Sequence, residues 1–232
     1  MVSDEPTSAP SDNRRTAAAA RRRQRERDIL AATRRLFDER GVSEAQIEDI
    51  ASADGINRAI VYRHFVGKEE LFALTLVGYL DELRVRLLAA ADGEPTPTGQ
   101  LSAIVSAFVD YGLEFPAFVD CAQTLMRRRG PELFDELSEN ALFRLGRAMS
   151  GCLTTLSDVV DAGNASGEFA VAEPTLLANM LYATGLGALQ IARVGILVKE
   201  SSPGVPVVGS VHADQVREHL IRSALALASA PA

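Results

Sequence analysis

Apolar and polar residues follow one another along most of the chain with the three- and four-residue spacing of amphipathic helices. In the first such stretch, Ile29, Leu36 and Phe37 share a face, and the pattern runs from about Ala17 to Gly41. Runs of Val, Ile and Thr that would favour strands are scarce. The pattern therefore predicts an all-α protein.

Two short helices are predicted after this first helix. Ser43 followed by Gln46 fits a capping box for the first of them, which Gly55 ends. Asn57 is a good N-cap for the second, which ends near Phe65. Two short helices joined by a tight glycine-containing turn are typical of the helix-turn-helix arrangement, whose second helix enters the major groove of DNA.

The second of these helices has one apolar and one cationic face. Val61 and Phe65 are expected to point inward, and Tyr62 and His64 to flank them. The residues expected to point away from the core are Arg58, Ala59, Ile60 and Arg63. Such a helix alone is more often a solvated surface than a DNA reader, but the capped helix before it and the arginine-rich helix at the N-terminus favour DNA binding.

Charge is unevenly distributed in this acidic chain, which has 24 Lys+Arg against 31 Asp+Glu. Residues 14–35 hold nine arginines and two acids, a net charge of +7. Residues 71–232 hold 11 basic and 18 acidic residues, a net charge of −7. A basic end on an acidic body indicates a polyanionic partner at that end. We expect residues 1–16 to be a disordered tail and the arginines up to Arg27 to act as a flexible basic arm.

The region that contains these predicted helices resembles a known family. Residues 29–72 look like the DNA-binding domain of the TetR/AcrR family of one-component regulators. The matching positions, in the family's order, are Phe37, Gly41, Ile50, Ala51, Gly55, Tyr62, His64, Phe65, Lys68 and Leu71. The resemblance implies an N-terminal three-helix helix-turn-helix domain (17–72) joined to a larger helical domain for effector binding and dimerisation (73–232).

The family also assigns roles to single positions. The resemblance places Arg58, Ile60 and Arg63 at base edges of a double-stranded DNA operator, and Gln46, Tyr62, His64 and Lys68 at phosphates. The chain departs from the family where Ile60 replaces a small or hydroxyl residue, Ala45 a threonine and Glu48 a basic residue. We interpret Glu48 as a solvent-facing residue or the partner of a nearby arginine.

The second half is predicted to contain a long helix from Pro131 to Gly163, a nearly all-apolar helix over about 173–198 and a last helix over about 213–228. The Pro/Gly/Ser-rich segment between the last two is expected to be a mobile loop. The predicted pocket for a small, largely apolar effector comprises Phe108, Tyr111, Phe115, Leu125, Met126, Phe143, Met149 and Tyr182. The apolar helix is expected to be buried on several sides, and the predicted homodimer interface comprises Ala183, Gly187, Ile191, Leu220 and Ala224.

The sequence gives little support for an enzyme, a membrane protein or a secreted protein. No catalytic constellation, metal site or cofactor motif stands out, so we expect no enzyme, no metal and no cofactor. Residues 176–198 could span a bilayer by length, but Asn179, Gln190 and Arg193 favour a buried helix. The N-terminal segment lacks the apolar core of a signal peptide. We expect a cytoplasmic protein without a membrane partner.

The sequence therefore predicts a ligand-responsive transcriptional repressor that leaves a palindromic operator when a small molecule binds. An activator of the same build is an alternative. A lipid or acyl-group carrier is another, because residues 101–198 are strongly apolar. A third alternative is a thiol redox sensor that uses Cys121 and Cys152, although buried structural thiols are the simpler interpretation.

Overall fold

A computed structural model describes residues 10–42 and 45–229, and within these ranges the chain forms ten helices and one β-hairpin. The helices are α1 (Pro10–Arg40), α2 (Ile47–Ala53), α3 (Arg58–His64), α4 (Lys68–Asp92), α5 (Pro97–Glu114), α6 (Pro116–Met126), α7 (Gly130–Glu136), α8 (Glu139–Ser166), α9 (Pro174–Val194) and α10 (Ala213–Ser229). The strands β1 (Ile196–Ser202) and β2 (Val205–Ser210) pair antiparallel between α9 and α10. The all-α fold class is confirmed.

The first three helices pack around a small shared core. Ile29 and Phe37 of α1 are buried against Ile50 of α2 and Val61 of α3. The predicted cap of α3 is present, since Asn57 Oδ1 accepts a hydrogen bond from the Ile60 N–H at 3.1 Å. These contacts fix the short helix α3, which would be unstable alone at seven residues.

Two expectations for the N-terminal region need correction. Helix α1 already begins at Pro10, so residues 10–16 of the predicted disordered tail are helical, and the arginines from Arg14 to Arg27 stand on that helix rather than on a flexible arm. Residues 1–9 of the tail lie outside the described residues. So does Ser43, the predicted capping residue. The first turn of α2 is held by the Gln46 N–H, which donates to Asp49 Oδ2 at 3.2 Å.

Helix α4 is the central helix of the molecule. It is 25 residues long and packs against α1, α5, α6 and α8. Its side chains at Leu76, Leu80 and Leu83 are buried. Because one unbroken helix begins beside α3 and ends among the C-terminal helices, the two halves of the chain share a common core element.

The long helix predicted between Pro131 and Gly163 is wrong in two respects. It is interrupted at Leu137 and Ser138, where the Ser138 Oγ caps a new helix by accepting from the Ala141 N–H at 3.2 Å. The second helix, α8, passes through Gly163 and ends at Ser166, because Gly167 takes the left-handed conformation with φ of 79°. Gly163 instead lies inside the helix beneath the ring of Phe169, where a Cβ would come within 1.9 Å of a ring carbon.

The predicted helix over 173–198 and mobile loop after it are also corrected. Helix α9 ends at Val194 because Gly195 is left-handed, with φ of 69°. The chain then forms the β-hairpin, with Ile196 opposite Ser210 and Val198 opposite Val208. The tight turn at its tip has Gly204 at φ of 80°. A valine-rich stretch that looked like loop because of its Pro and Gly residues is therefore a paired ribbon.

Candidate functional site

Helix α3 presents a cationic, exposed surface above a buried apolar contact. Val61 is 1% exposed, whereas Tyr62 is 43% exposed and Arg58 and Arg63 are exposed. Ile60 is half-buried. This is the division of faces that the sequence predicts, and it leaves Arg58 and Arg63 on the side of the helix that faces solvent.

A cluster of three side chains joins α3 to α2. The Arg58 guanidinium lies 2.6 Å from Glu48 Oε1 and donates to the Tyr62 hydroxyl at 3.2 Å. Its carbon lies 5.2 Å from the centroid of the Tyr62 ring. The hydrogen bond to Tyr62, reinforced by the charge of Glu48, raises the pKa of Arg58. Glu48 is thus the partner of a nearby arginine, and it holds Arg58 extended along the surface.

The remaining polar residues predicted to contact DNA surround α3. Gln46 is exposed at the start of α2, and the Lys68 Nζ lies over the ring of Phe72 at 5.0 Å, at the start of α4. His64 is half-buried, and its Nδ1 has no hydrogen-bond partner among the described residues. Burial, together with the charge of Arg22, lowers the pKa of His64. The basic part of α1 therefore lies close to the C-terminal end of α3.

A small apolar cavity of about 50 Å³ lies in the C-terminal half, enclosed by α4, α5, α8, α9 and α10. Its lining is Leu83, Leu87, Ile104, Val105, Phe108, Cys152, Leu153, Leu156, Leu181, Tyr182, Gly185, Leu220 and Ala224. No charged side chain of the described residues is among them. Such a lining suits an apolar small molecule.

The predicted effector pocket agrees only partly with this cavity, since Phe108 and Tyr182 line it and six other residues do not. Tyr111 is fully buried in the aromatic core with Phe115, at a centroid distance of 4.9 Å. Met126 is 54% and Phe143 is 69% exposed. Leu125 borders a separate groove beside Val42 and Phe72, and Met149 is half-buried on α8. Apolar residues at three- and four-residue spacing identify the buried face of a helix. They do not identify the element against which that face packs.

Both cysteines are buried, at 0% exposure for Cys121 and 4% for Cys152. Burial raises the pKa of both thiols, that of Cys152 to about 12. The Cys152 Sγ donates to the Leu80 carbonyl at 3.3 Å. Buried thiols that stay protonated are poor nucleophiles, so the geometry does not favour a thiol sensor.

Comparison with known proteins decides the family. The model for bacterial regulatory proteins of the tetR family matches residues 29–75. The HTH-type transcriptional repressor NicS of Pseudomonas putida is 30% identical over 162 residues, which cover 67% of this chain and 71% of NicS. The chain belongs to the TetR family. It is accordingly a transcriptional regulator and not an enzyme.

Other TetR-family members show how far the likeness extends. The HTH-type transcriptional repressor KstR2 of Mycobacterium tuberculosis is 32% identical over 80 residues, and the match spans 34% of this chain and 40% of KstR2. The crystal structure of RolR in complex with its ligand resorcinol has a TM-score of 0.65 over 91% of this chain and 90% of RolR. At 16% identity the RolR structure shows a shared fold alone.

The dimer interface predicted for this TetR-family chain divides into surface and interior residues. Gly187 is exposed, Ile191 is 45% exposed and Ala183 is half-buried on α9. Leu220 and Ala224 are instead buried within the chain and line the cavity, because the apolar face of α10 packs on α5 and α9. The structure thus leaves only the α9 part of the prediction on the surface.

Helix α9 is not buried on several sides within one chain, contrary to the sequence prediction. Its buried residues are Ala178, Gly185, Leu186 and Leu189, all toward the core. On the opposite side Leu176, Met180 and Val194 are 58%, 56% and 62% exposed. Among the described residues, α9 is the one helix whose length and composition would allow it to cross a membrane. Of the most apolar 18-residue stretch of α9, 22% is buried in the protein.

A polar cluster at the boundary between the two halves escaped the sequence analysis. Arg34 of α1 pairs with Glu82 of α4, and its guanidinium carbon lies 4.3 Å from the centroid of the Tyr79 ring. Arg86 of α4 forms ion pairs with Glu82 on the same helix and with Glu114 of α5. We call this the α1–α4–α5 junction. Glu82 and Arg86 are four residues apart on α4, but Arg34 and Glu114 are too distant in sequence for a local pattern to connect them to this pair.

Proposed function

We propose that this TetR-family regulator is a repressor that binds a palindromic double-stranded DNA operator as a homodimer and leaves it when a small, largely apolar effector binds. The observation that carries this proposal is the path of α4. Lys68 at its start adjoins α3, while Leu83 and Leu87 on the same helix line the cavity. An effector that displaces these leucines would therefore move the helix that directly follows α3 in the chain.

We assign residues 17–72 to the DNA-binding domain and residues 73–232 to the effector and dimerisation domain. Arg58, Ile60 and Arg63 would approach base edges, while Gln46, Tyr62, His64 and Lys68 would contact phosphates. The exposed positions of Arg58 and Arg63 support this assignment. The exposed arginines of α1 would add affinity without sequence preference. We infer a cytoplasmic protein, because a regulator that binds an operator has to reach the chromosome.

The exposed apolar face of α9 supports the homodimer. Soluble monomers rarely expose a large contiguous apolar patch, and packing across a two-fold axis covers the same face on both chains. The proposed interface consists of Ala183, Gly187 and Ile191, extended by Leu176, Met180 and Val194. Light scattering tests it, since a monomer at micromolar concentration would contradict both the interface and a two-fold operator.

The proposal that the effector is a small, apolar molecule rests on the uncharged residues that line the cavity. RolR, which shares the fold, has been solved with resorcinol, a small neutral ligand. A carrier of lipids or acyl groups is a weaker candidate, because that function leaves the exposed arginines of α1 and α3 without a role. Copurified lipid without DNA affinity would favour the carrier.

Selection of bound fragments from genomic DNA tests the proposed function and supplies the operator. We expect a two-fold symmetric site, because each chain of the dimer presents one copy of α3. Enrichment of asymmetric fragments, or of none, would contradict the proposal.

The division of roles at the interface is tested with two variants. Arg58→Ala should cost about 1–3 kcal/mol at one operator position and relax the preference there, since it removes a base-reading side chain. Lys68→Ala should weaken binding to all sequences nearly equally and reduce the salt slope by about one. Fluorescence anisotropy on the operator, on single-base variants and on random DNA measures both. If the two variants changed specificity equally, the roles would be wrongly assigned.

A further inference from the structure

The wall of the cavity contains one polar group without a partner. The Tyr182 hydroxyl oxygen is buried, and it makes no hydrogen bond with any of the described residues. A buried hydroxyl that lacks a partner is costly, so such a group calls for an explanation. Tyr182 is one of the residues that line the cavity, which makes a ligand bound there the natural partner for its hydroxyl.

Tyr111 provides a comparison, because its buried hydroxyl is hydrogen-bonded within the protein. Tyr111 is fully buried, and its hydroxyl donates to the Tyr79 carbonyl at 2.9 Å. The Tyr182 side chain as a whole is half-buried, but the two hydroxyl groups are both buried and differ in the presence of a protein acceptor. This difference makes Tyr111 a matched control for Tyr182.

The rest of the cavity wall excludes charge. All thirteen lining residues are uncharged, and the thiol of Cys152 is held protonated by burial. Burial also raises the pKa of Tyr182, so its hydroxyl remains a donor. A carboxylate or phosphate placed here would lose its hydration and gain no cationic partner, which is strongly unfavourable.

One wall of the cavity can yield to a ligand. The Phe108 ring is half-buried and packs edge-on against Tyr182, with the centroids 6.0 Å apart. It lies directly over Gly185, where a Cβ would come within 2.6 Å of the ring. Because the cavity of about 50 Å³ is smaller than an aromatic ligand, side chains of the wall have to move when such a ligand enters, and we infer that the half-buried Phe108 ring is one of them.

From these observations we propose that the ligand of this cavity is an uncharged, mainly apolar molecule with a single oxygen function, which accepts a hydrogen bond from the Tyr182 hydroxyl. The proposal rests on the proposed effector role of the cavity. It narrows that role to neutral ketones, phenols or alcohols and excludes anionic acids and acyl thioesters with charged carriers.

The first test needs no ligand. Tyr182→Phe removes a buried hydroxyl that has no partner, so it should raise the thermal unfolding midpoint by about 2–4 °C. Tyr111→Phe removes a paired hydroxyl and should lower the midpoint by a similar amount. If Tyr182→Phe lowered the midpoint as Tyr111→Phe does, its hydroxyl would have an internal partner and the proposal would fall.

The second test uses three probes of one shape, namely 4-phenyl-2-butanone, 3-phenylpropanoate and butylbenzene. Midpoint shifts at millimolar probe measure binding to the wild type, Tyr182→Phe, Tyr111→Phe and Phe108→Ala. We expect the ketone to bind the wild type and the carboxylate not to bind. Tyr182→Phe should weaken the ketone about tenfold and leave butylbenzene unchanged. Phe108→Ala enlarges the cavity and should strengthen both neutral probes.

Three results would overturn the proposal. These are equal binding of carboxylate and ketone, an unchanged ketone affinity in Tyr182→Phe, and no binding of any probe to the wild type or to Phe108→Ala. Operator binding by the ligand-free protein is measured on the same samples. Its absence would defeat the proposed repressor function without altering the midpoint shifts, so the two failures are distinguishable.

Discussion

The α3 surface and the cavity differ in how their side chains are supplied and held. Seven consecutive residues make α3, and its charged groups stand in solvent above the single buried contact of Val61. The cavity draws on five helices, from Leu83 to Ala224, and has no charged lining residue among the described residues. An exposed ionic surface suits a polyanion and gives salt-dependent binding, whereas a closed apolar wall suits a neutral molecule.

The two regions also differ in how much each depends on the other. Helix α3 packs mainly against α2 and directly precedes α4 in the chain, while the cavity lies farther along α4 and among helices that have no extensive contact with α3. Damage to one region should therefore leave the other intact, except where α4 and the α1–α4–α5 junction transmit it.

The largest expected effect comes from placing a charge beneath α3. Val61→Asp buries a carboxylate without a partner in the small N-terminal core and should destabilise it by about 4 kcal/mol or more. We expect complete loss of operator binding, with most of the helical circular dichroism and the ketone-induced midpoint shift retained. Arg63→Ala on the exposed side of the same helix is the control and should leave the fold unchanged. Cooperative unfolding of the whole chain would mean that the two regions are a single folding unit.

Substitutions at two glycines of α9 distinguish the role of the cavity from the role of the proposed dimer surface. Gly185→Leu drives a side chain into Phe108 and should destabilise the fold by about 1–3 kcal/mol and abolish the ligand response, with operator binding kept. Gly187→Leu meets nothing within 4 Å inside its own chain, so it should spare the fold and weaken the dimer by about 1–3 kcal/mol per site. Thermal unfolding and light scattering measure the two effects. A stable dimer of Gly187→Leu would remove α9 from the interface.

The smallest expected effect is a pH dependence confined to the DNA-binding region. Burial and the charge of Arg22 lower the pKa of His64 in the free protein, and a phosphate beside it would raise that pKa. The protein then takes up a proton on binding, so operator affinity rises as the pH falls from the bound pKa toward the free pKa, by at most about tenfold per pH unit. Ketone binding should not change over this range. The dependence should vanish in His64→Gln, and an equal slope in that variant would place His64 away from phosphate.

The DNA-binding region was predictable because its determinants are close together in the sequence. The Asn57 cap, the inward position of Val61 and the outward arginines all follow from local chemistry and helical spacing within nine residues of chain. The pairing of Glu48 with Arg58 was also within reach, since both lie on adjacent helices joined by a short turn.

The cavity was not predictable in the same way. Leu83 and Leu220 line the same cavity only after five helices have packed together. An apolar stripe has the same spacing whether it faces a cavity, a solid core or another chain. Leu220 and Ala224 were assigned to the dimer surface for that reason. The break at Ser138 was missed because the residues on both sides keep the helical pattern, and only the cap shows the interruption.

The β-hairpin affects the solution behaviour of the protein. Its two strands have only each other as partners among the described residues, so each leaves one row of backbone groups unpaired, and Val198 and Val208 are 76% and 72% exposed. Open strands with apolar side chains can add further strands from other molecules. Pro206 on β2 and the charged Lys199 and Glu200 on β1 oppose such pairing. These residues leave Val198 and Val208 exposed, so Val198→Lys should raise the solubility of the protein further.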